Sequence, residues 1–549
     1  MKVPSGGCSS ITTSPRRADG MEQRHVLPQL LAERAKTHPD RIFIHEAGGE
    51  SLTYAELHSR ILRWSDAFRR HGVKEGDVVS VMLPNTPTTL LAWIGLAWLR
   101  ATELPVNTSF IGKMLEDVLR TAASRLIVVD EQFAEQVINV APLLPALETI
   151  VVIGAVPRAQ PDGIEVVAVE QFLEDATPSE DTLLRAEPYD TACIVWTSGT
   201  TGPSKGTLLS WSQLLAMGTG AFPPEEMGEQ DALYSPYPMY YVAGKLYVYV
   251  AAFVNARYVM RERFSTSNFW REIREYGCTY APFSPATMRF LLTQPPTPED
   301  ADTPLHSVLV APLPPESDDF CKRFGVRVRT AYNSTELSCP IVSEWNPENK
   351  RSCGRVRPGY QVRVVDEHDQ QVAAGEIGEL VVRADEPWKL MTEYFSRPDA
   401  TVAAWRNLWF HTGDAFTYDE AGNYYFVDRI KDAIRRRGQN ISSAEVEAAI
   451  NEHPAVLECA VIAAPSEWGE DEVRAVLTLR GVFDISPEQI FQFCVQRLPH
   501  FMVPRYIDIV DELPKTPTEK IQKSELRRTG VTATTWDREA AGLSVKPGS

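Results

Sequence analysis

The chain has 549 residues, 44% of them hydrophobic and 23% charged, and a formal net charge of −18. These proportions belong to a packed globular protein with more than one core and exclude a disordered or fibrous chain. An acidic surface disfavours nucleic acid and anionic lipid, so an anionic small substrate needs a locally positive pocket.

Residues 1–20 are rich in Ser, Gly, Thr and Pro without an apolar run, which reads as a disordered leader rather than a secretory signal. From about Met21 to Glu187 amphipathic stretches such as Tyr54 to His71 alternate with short apolar runs such as Val78 to Leu83 and Leu126 to Val129, and the same rhythm returns after Gly206. That alternation predicts α/β layers with mostly parallel sheets. Leu90 to Leu99, the longest apolar stretch, is far short of the ~20 residues of a membrane span and is expected to be a buried helix. Further strands are expected at Ala192 to Trp196, Ala232 to Ser235, Arg257 to Met260, Ser307 to Ala311 and Val326 to Ala331. From Gly375 the texture becomes β-rich, with strands predicted in GEIGELVVR and in Gly422 to Phe426.

A boundary is placed at Asp428 to Lys431, and Ser442 with Glu445 three residues on forms a capping box that starts a helix. The expected fold is therefore α/β: a large N-terminal domain, 21–428, of α/β layers with a β-rich subdomain, and a small mobile α+β domain, 429–530. Residues 531–549 lack periodicity and are expected to form a mobile tail. The eight cysteines are scattered with no CxxC, so neither disulfides nor a zinc site is expected, and a reducing cytoplasm fits.

The densest chemical signal runs from Trp196 to Gly206 (WTSGTTGPSKG), where five hydroxyls, three glycines and one lysine follow a buried strand. Small residues let backbone N–H groups approach phosphate oxygens, and the hydroxyls add donors. A Walker A loop would need Gly where Ser204 stands and Ser or Thr where Gly206 stands. The loop is a phosphate cradle of another kind.

Here the chain resembles the adenylate-forming superfamily of acyl-CoA synthetases, luciferases and peptide-synthetase adenylation domains, and further motifs follow in family order from about Leu27 to Arg527. The resemblance assigns Thr197, Ser198, Gly199, Thr200, Thr201 and Lys205 to nucleotide phosphates, with Thr200 also at the metal. Ala331-Tyr-Asn-Ser-Thr-Glu336 is similar to the aromatic-Gly-x-Thr-Glu motif: Tyr332 would pack on adenine, Thr335 contact phosphate and Glu336 hold Mg²⁺, with Asn333 in place of the usual Gly. Ala311 and Pro312 fall in the strip beside adenine. Thr412-Gly413-Asp414 resembles the motif whose Asp receives both ribose hydroxyls. Asp428 to Asp432 resembles the hinge, with Arg429 near ribose or phosphate and Lys431 at the pivot. Leu513 to Lys523 places Lys520 at the position of the adenylation lysine. Gly438 would line the pantetheine tunnel, and Arg435, Arg436 and Arg437 are candidates for the phosphates of coenzyme A. Tyr241 stands where the family has a His near the acid.

Within the superfamily the C-terminal segment from Lys431 through Lys523 looks most like the carnitine- and crotonobetaine-CoA ligase branch. The resemblance implies a ligase that uses ATP (or a supplied acyl-AMP), Mg²⁺, coenzyme A and a carboxylic acid, with no nucleic-acid partner and no membrane span. It is compatible with a homodimer. Tyr241 and Asn333 leave open a partial enzyme that performs only one half-reaction. A non-catalytic nucleotide-binding protein of the same fold is the third reading, opposed by Lys205, Glu336, Asp414 and Lys520 together.

Overall fold

A computed structural model describes residues 26–197, 205–430, 432, 434–436, 439–441, 443–465, 471–481, 483, 485–498, 500–516 and 520–545. The N-terminal part is built on two seven-stranded sheets. In one, Glu165–Ala168, Thr149–Ile153, Leu126–Asp130, Val78–Met82, Thr102–Pro105 and Thr191–Thr197 run parallel, and Lys205–Ser210 returns antiparallel at the edge. In the other, Arg327–Arg329, Ser307–Val310, Tyr280–Phe283, Ala232–Ser235, Arg257–Met260 and Ile42–Glu46 are parallel, and Ser51–Thr53 closes the edge.

Helix Tyr54–Arg70 starts where Thr53 and Glu56 form a reciprocal capping box, and it buries Leu57, Ile61, Trp64 and Phe68 on one face. The apolar run predicted to be a core helix is Pro87–Ala97, with Pro87 in the first turn, where its missing N–H is harmless. This helix lies in the main core. Its Trp93 indole donates to the Ala192 carbonyl at 2.8 Å, which fixes the helix against the strand leading into the phosphate loop. Under the same ring lies the ion pair of Lys245 and Glu103, both fully buried, with the ammonium 3.9 Å from the Trp93 ring centre.

The strand expected from Val326 to Ala331 is interrupted. Arg327–Arg329 ends the second sheet, and Ala331–Tyr332 joins a small sheet with Ile341–Val342 and Arg355–Val356. Thr330 turns the chain between them because its N–H donates to the Ser343 hydroxyl and its carbonyl accepts from the Ser343 N–H, each at 2.9 Å. The β-rich portion is a four-stranded antiparallel sheet of Tyr360–Val365, Gly378–Ala384, Phe410–Tyr418 and Tyr424–Arg429.

The C-terminal part has its own core, between helices Ser443–Asn451 and Pro487–Val495 and the sheet of Val456–Pro465, Asp471–Leu479, Tyr506–Ile509 and Trp536–Asp537. The last strand corrects the expectation of an unpacked tail. Trp536 packs on Phe491 at 5.7 Å, Arg505 pairs with Asp537 at 3.1 Å, and Leu543 and Val545 lie against the core. Two apolar residues and one aromatic in an aperiodic segment are enough to seat it, which a periodicity test does not detect. Ser442, the predicted cap, lies outside the described residues; at the same helix start Asp428 accepts from the Ser443 N–H and hydroxyl, both at 2.7 Å. No helix among the described residues is long and apolar enough to cross a membrane.

Candidate active site

Ser198, Gly199, Thr200, Thr201, Lys431 and Gly438 lie outside the described residues, as does the side chain of Thr197. The two strands that hold the loop are described, with Thr197 opposite Lys205 in register. Gly206 has no room for a side chain: a Cβ there would sit 2.8 Å from the Trp196 ring and 2.9 Å from Ile194. The return strand can lie against Trp196 only because residue 206 is glycine.

Lys205 projects from the start of that strand and places its ammonium 4.4 Å over the Tyr394 ring. The Tyr394 hydroxyl donates to one Glu336 oxygen at 3.0 Å, and the Ser334 hydroxyl donates to the other at 2.9 Å. Burial and the Glu336 charge push the Tyr394 phenol well above its ordinary range, so it stays a donor. Lys205 and Glu336 are thereby joined through one aromatic side chain. The loop that carries Glu336 is tied down by Gln213, whose amide donates to the Thr335 carbonyl at 3.2 Å, and by Asn333, whose side-chain oxygen accepts from the Cys339 N–H at 3.1 Å. Asn333 thus folds its amide into its own loop.

Tyr332 donates from its hydroxyl to Asp414 and sets its ring edge-on to Phe416 at 4.8 Å. Asp414 is 2% exposed. Gly413, with φ of 70°, shifts the strand register just before it, a backbone position that favours glycine. Arg429 stands opposite Asp414 on the next strand, with its Nε 2.8 Å from Asp414 Oδ1. Burial pushes the Asp414 carboxyl up to about 6; Arg429 and the Tyr332 hydroxyl oppose that rise, and Glu336 and Glu379 add to it. Lys520 follows a turn in which Thr516 accepts from its N–H at 3.2 Å and donates to its carbonyl at 2.7 Å. Its side chain reaches solvent, yet surrounding protein and the Arg429 charge lower its pKa from the ordinary lysine value. Ala311 and Pro312 are exposed just past the strand Ser307–Val310.

Two contact groups therefore emerge, Lys205–Tyr394–Glu336 and Tyr332–Asp414–Arg429, close enough for Glu336 to act on the Asp414 carboxyl and for Arg429 to act on Lys520, an arrangement suited to a ribose and a polyphosphate. Tyr241 belongs to a third group. It stands at the start of helix Val242–Phe253, and its oxygen accepts from the Asn107 side-chain amide at 3.2 Å.

Sequence reasoning missed Tyr394, Gln213 and Asn107, which sit in stretches with no local pattern to single them out. It also mistook Arg436. That side chain is 3% exposed, pairs with Glu472 at 2.7 Å and donates to the Phe501 carbonyl, so it serves the core of the C-terminal part and not a ligand. The side chains of Arg435 and Arg437 lie outside the described residues.

The family model described as AMP-binding enzyme matches residues 31–395, and that described as AMP-binding enzyme C-terminal domain matches 445–520. A crotonobetaine/carnitine–CoA ligase of Escherichia coli is 30% identical over 502 residues, covering 89% of this chain and 96% of that one. The corresponding protein of Proteus mirabilis is 30% identical over 523 residues, with coverages of 92% and 99%. Among solved structures, the anthranilate CoA ligase AuaEII in complex with anthranoyl-AMP superposes with a TM-score of 0.80 at 22% identity, covering 94% of this chain and 98% of that one.

Proposed function

The chain belongs to the AMP-binding enzyme family, and from that premise we propose that it is an ATP-dependent, AMP-forming acid–thiol ligase. A carboxylic acid and ATP give acyl-AMP and pyrophosphate; the thiol of coenzyme A then attacks the acyl carbon and AMP leaves. The observation that carries this reading is the pairing of Asp414 with Arg429 on neighbouring strands, with Lys520, from a segment some ninety positions later, near enough for the Arg429 charge to act on it. A protein that only bound nucleotide would have no need of Lys520 in that company, and neither one-step alternative is favoured.

Each residue has a task that its surroundings support. Asp414 receives ribose hydroxyls in exchange for the Tyr332 hydroxyl, and the Tyr332 ring faces adenine beside Ala311 and Pro312. Lys205, backed by Tyr394, meets the phosphates. Lys520 neutralises charge as the carboxylate oxygen attacks the α-phosphorus and pyrophosphate departs, where two anions must approach each other. Glu336 fits a Mg²⁺ ion, because each of its oxygens accepts only one described hydrogen bond and keeps a second lone pair. One carboxylate with phosphate and water oxygens satisfies an ion that prefers few protein ligands. When bound, Mg²⁺ screens the phosphates. Thr200, Thr335, Lys431 and Gly438 keep their family roles as part of this proposal. We assign the reducing cytoplasm as the compartment, a reading that the free cysteines support.

Exchange of labelled pyrophosphate into ATP across a panel of acids, beside formation of the CoA ester, tests the reading. Acid-dependent exchange with AMP as product is expected. Rapid ester formation from synthetic acyl-AMP with no exchange for any acid would reduce the protein to the second half-reaction.

A further inference from the structure

Two strands of the four-stranded sheet, Gly378–Ala384 and Phe410–Tyr418, fall out of step beside Asp414. Glu379 pairs with Ala415 and Val381 with His411, so the three residues Thr412, Gly413 and Asp414 stand opposite the single Leu380. The surplus bulges out of the ladder, and from it Asp414 meets Tyr332 and Arg429. A bulge also frees backbone groups that the ladder would have satisfied, and each needs another partner.

Glu379 is the partner that comes from across the sheet. Its Oε1 accepts from the Gly413 N–H at 3.0 Å, and its Oε2 lies 2.9 Å from His411 Nδ1 and 3.3 Å from an Arg406 nitrogen. One carboxylate thus spans the bulge from His411 to Gly413. The Gly413 carbonyl accepts from the Ile430 N–H at 3.0 Å, and the Thr412 hydroxyl donates to the Leu380 carbonyl at 2.7 Å. Packing adds little: a Cβ on Gly413 would meet nothing within 4 Å, and a cavity of about 280 Å³ opens beside His411. Hydrogen bonds therefore keep the bulge in shape, and the one to Glu379 has a charged acceptor, the stronger kind.

We propose that Glu379 is a positioning residue for the nucleotide: by holding the Gly413 N–H it maintains the bulge that presents Asp414 to the ribose. It acts through Gly413 and not by touching the nucleotide. The inference rests on the assignment of Asp414 to the ribose in the ligase reading, and its test separates the two.

Glu379→Gln keeps the reach and the acceptor but loses the charge, whereas Glu379→Asp keeps the charge and falls one methylene short of Gly413. Calorimetric titration with AMP should find Glu379→Asp about tenfold weaker than the wild-type protein and Glu379→Gln within about threefold of it, one charge-assisted hydrogen bond being at stake. KM for ATP in pyrophosphate exchange should follow AMP affinity while KM for the acid stays put, a selectivity that a general loosening of the fold does not produce. In the Asp414→Asn background Glu379→Asp should weaken AMP binding less than about twofold, because the bond acts through that carboxylate. Wild-type affinity in Glu379→Asp, beside weakened binding in Asp414→Asn, overturns Glu379 alone, and so does an undiminished loss in the Asp414→Asn background. Wild-type affinity in Asp414→Asn removes the ribose assignment and this inference with it. AMP binding requires no turnover, so these binding outcomes do not depend on which acid is activated.

Discussion

Arg429 holds its Nε 2.8 Å from Asp414 Oδ1, yet the carboxyl still titrates near 6, because burial outweighs the arginine. A carboxyl whose folded pKa is raised contributes stability that is complete below its unfolded value, near 3.8, and lost as pH rises through about 6. Asp414→Asn removes that dependence. Between pH 4 and pH 7 the nucleotide-free wild-type protein should lose about 2–3 kcal/mol relative to the variant, levelling off at higher pH, as chemical denaturation at several pH values would reveal. AMP affinity of the wild-type protein should move the other way and weaken below pH 6, since a protonated carboxyl accepts ribose hydroxyls less well. Affinity that does not change between pH 5 and pH 8 would remove Asp414 from the ribose site.

Lys520→Ala should lower pyrophosphate exchange by about 10²- to 10³-fold, the effect of losing one group aimed at transition-state charge. Ester formation from supplied acyl-AMP should survive, because that step displaces AMP with no attack at phosphorus. Equal loss in both assays would mean that the lysine supports the fold or binding in general.

Tyr394→Phe deletes only a hydroxyl, the one that donates to Glu336, and keeps the ring on which Lys205 rests. A net hydrogen bond to a charged group is worth about 1.5 kcal/mol, so exchange should fall about tenfold at low magnesium and recover in part as magnesium rises. Loss that ignores magnesium would separate Tyr394 from the Glu336 carboxylate.

Gly206→Ala forces a methyl into the Trp196 ring and should destabilise the protein by about 1–3 kcal/mol. Gly228→Ala, where nothing lies within 4 Å, serves as the control in the same urea titration. Similar midpoints for the two variants would contradict the tight packing of this edge strand.

Lys245→Met leaves Glu103 buried without its partner and should cost about 3–5 kcal/mol, most of which the further change Glu103→Leu should restore. Thermal unfolding of the single and double variants decides it. A double variant no more stable than the single one would show that the pair is held by packing alone.

What could be foreseen follows the range of the forces involved. Helix Tyr54–Arg70 and the strands at 232–235 and 257–260 were legible because local apolar patterns specify them. Asp414, Arg429 and Glu336 were legible as members of motifs, although no local rule places the first two side by side. Tyr394 was not, since its importance comes from Lys205, almost 190 positions earlier. Arg436 went wrong for a related reason: its partner Glu472 lies on another strand, so a run of three arginines concealed one with an internal task.

The bonds from Ser443 to Asp428 bear on how the two ends of the segment between them are held. Asp428 lies on the last strand of the four-stranded sheet and Ser443 opens the first helix of the smaller part, so these bonds fasten that sheet to the helix terminus and satisfy N–H groups that water would otherwise have to reach. Lys523 donates to the same hydroxyl at 2.6 Å. One serine hydroxyl thus works as a rivet through which three segments, around 428, 443 and 523, are fastened, so its loss loosens all three together.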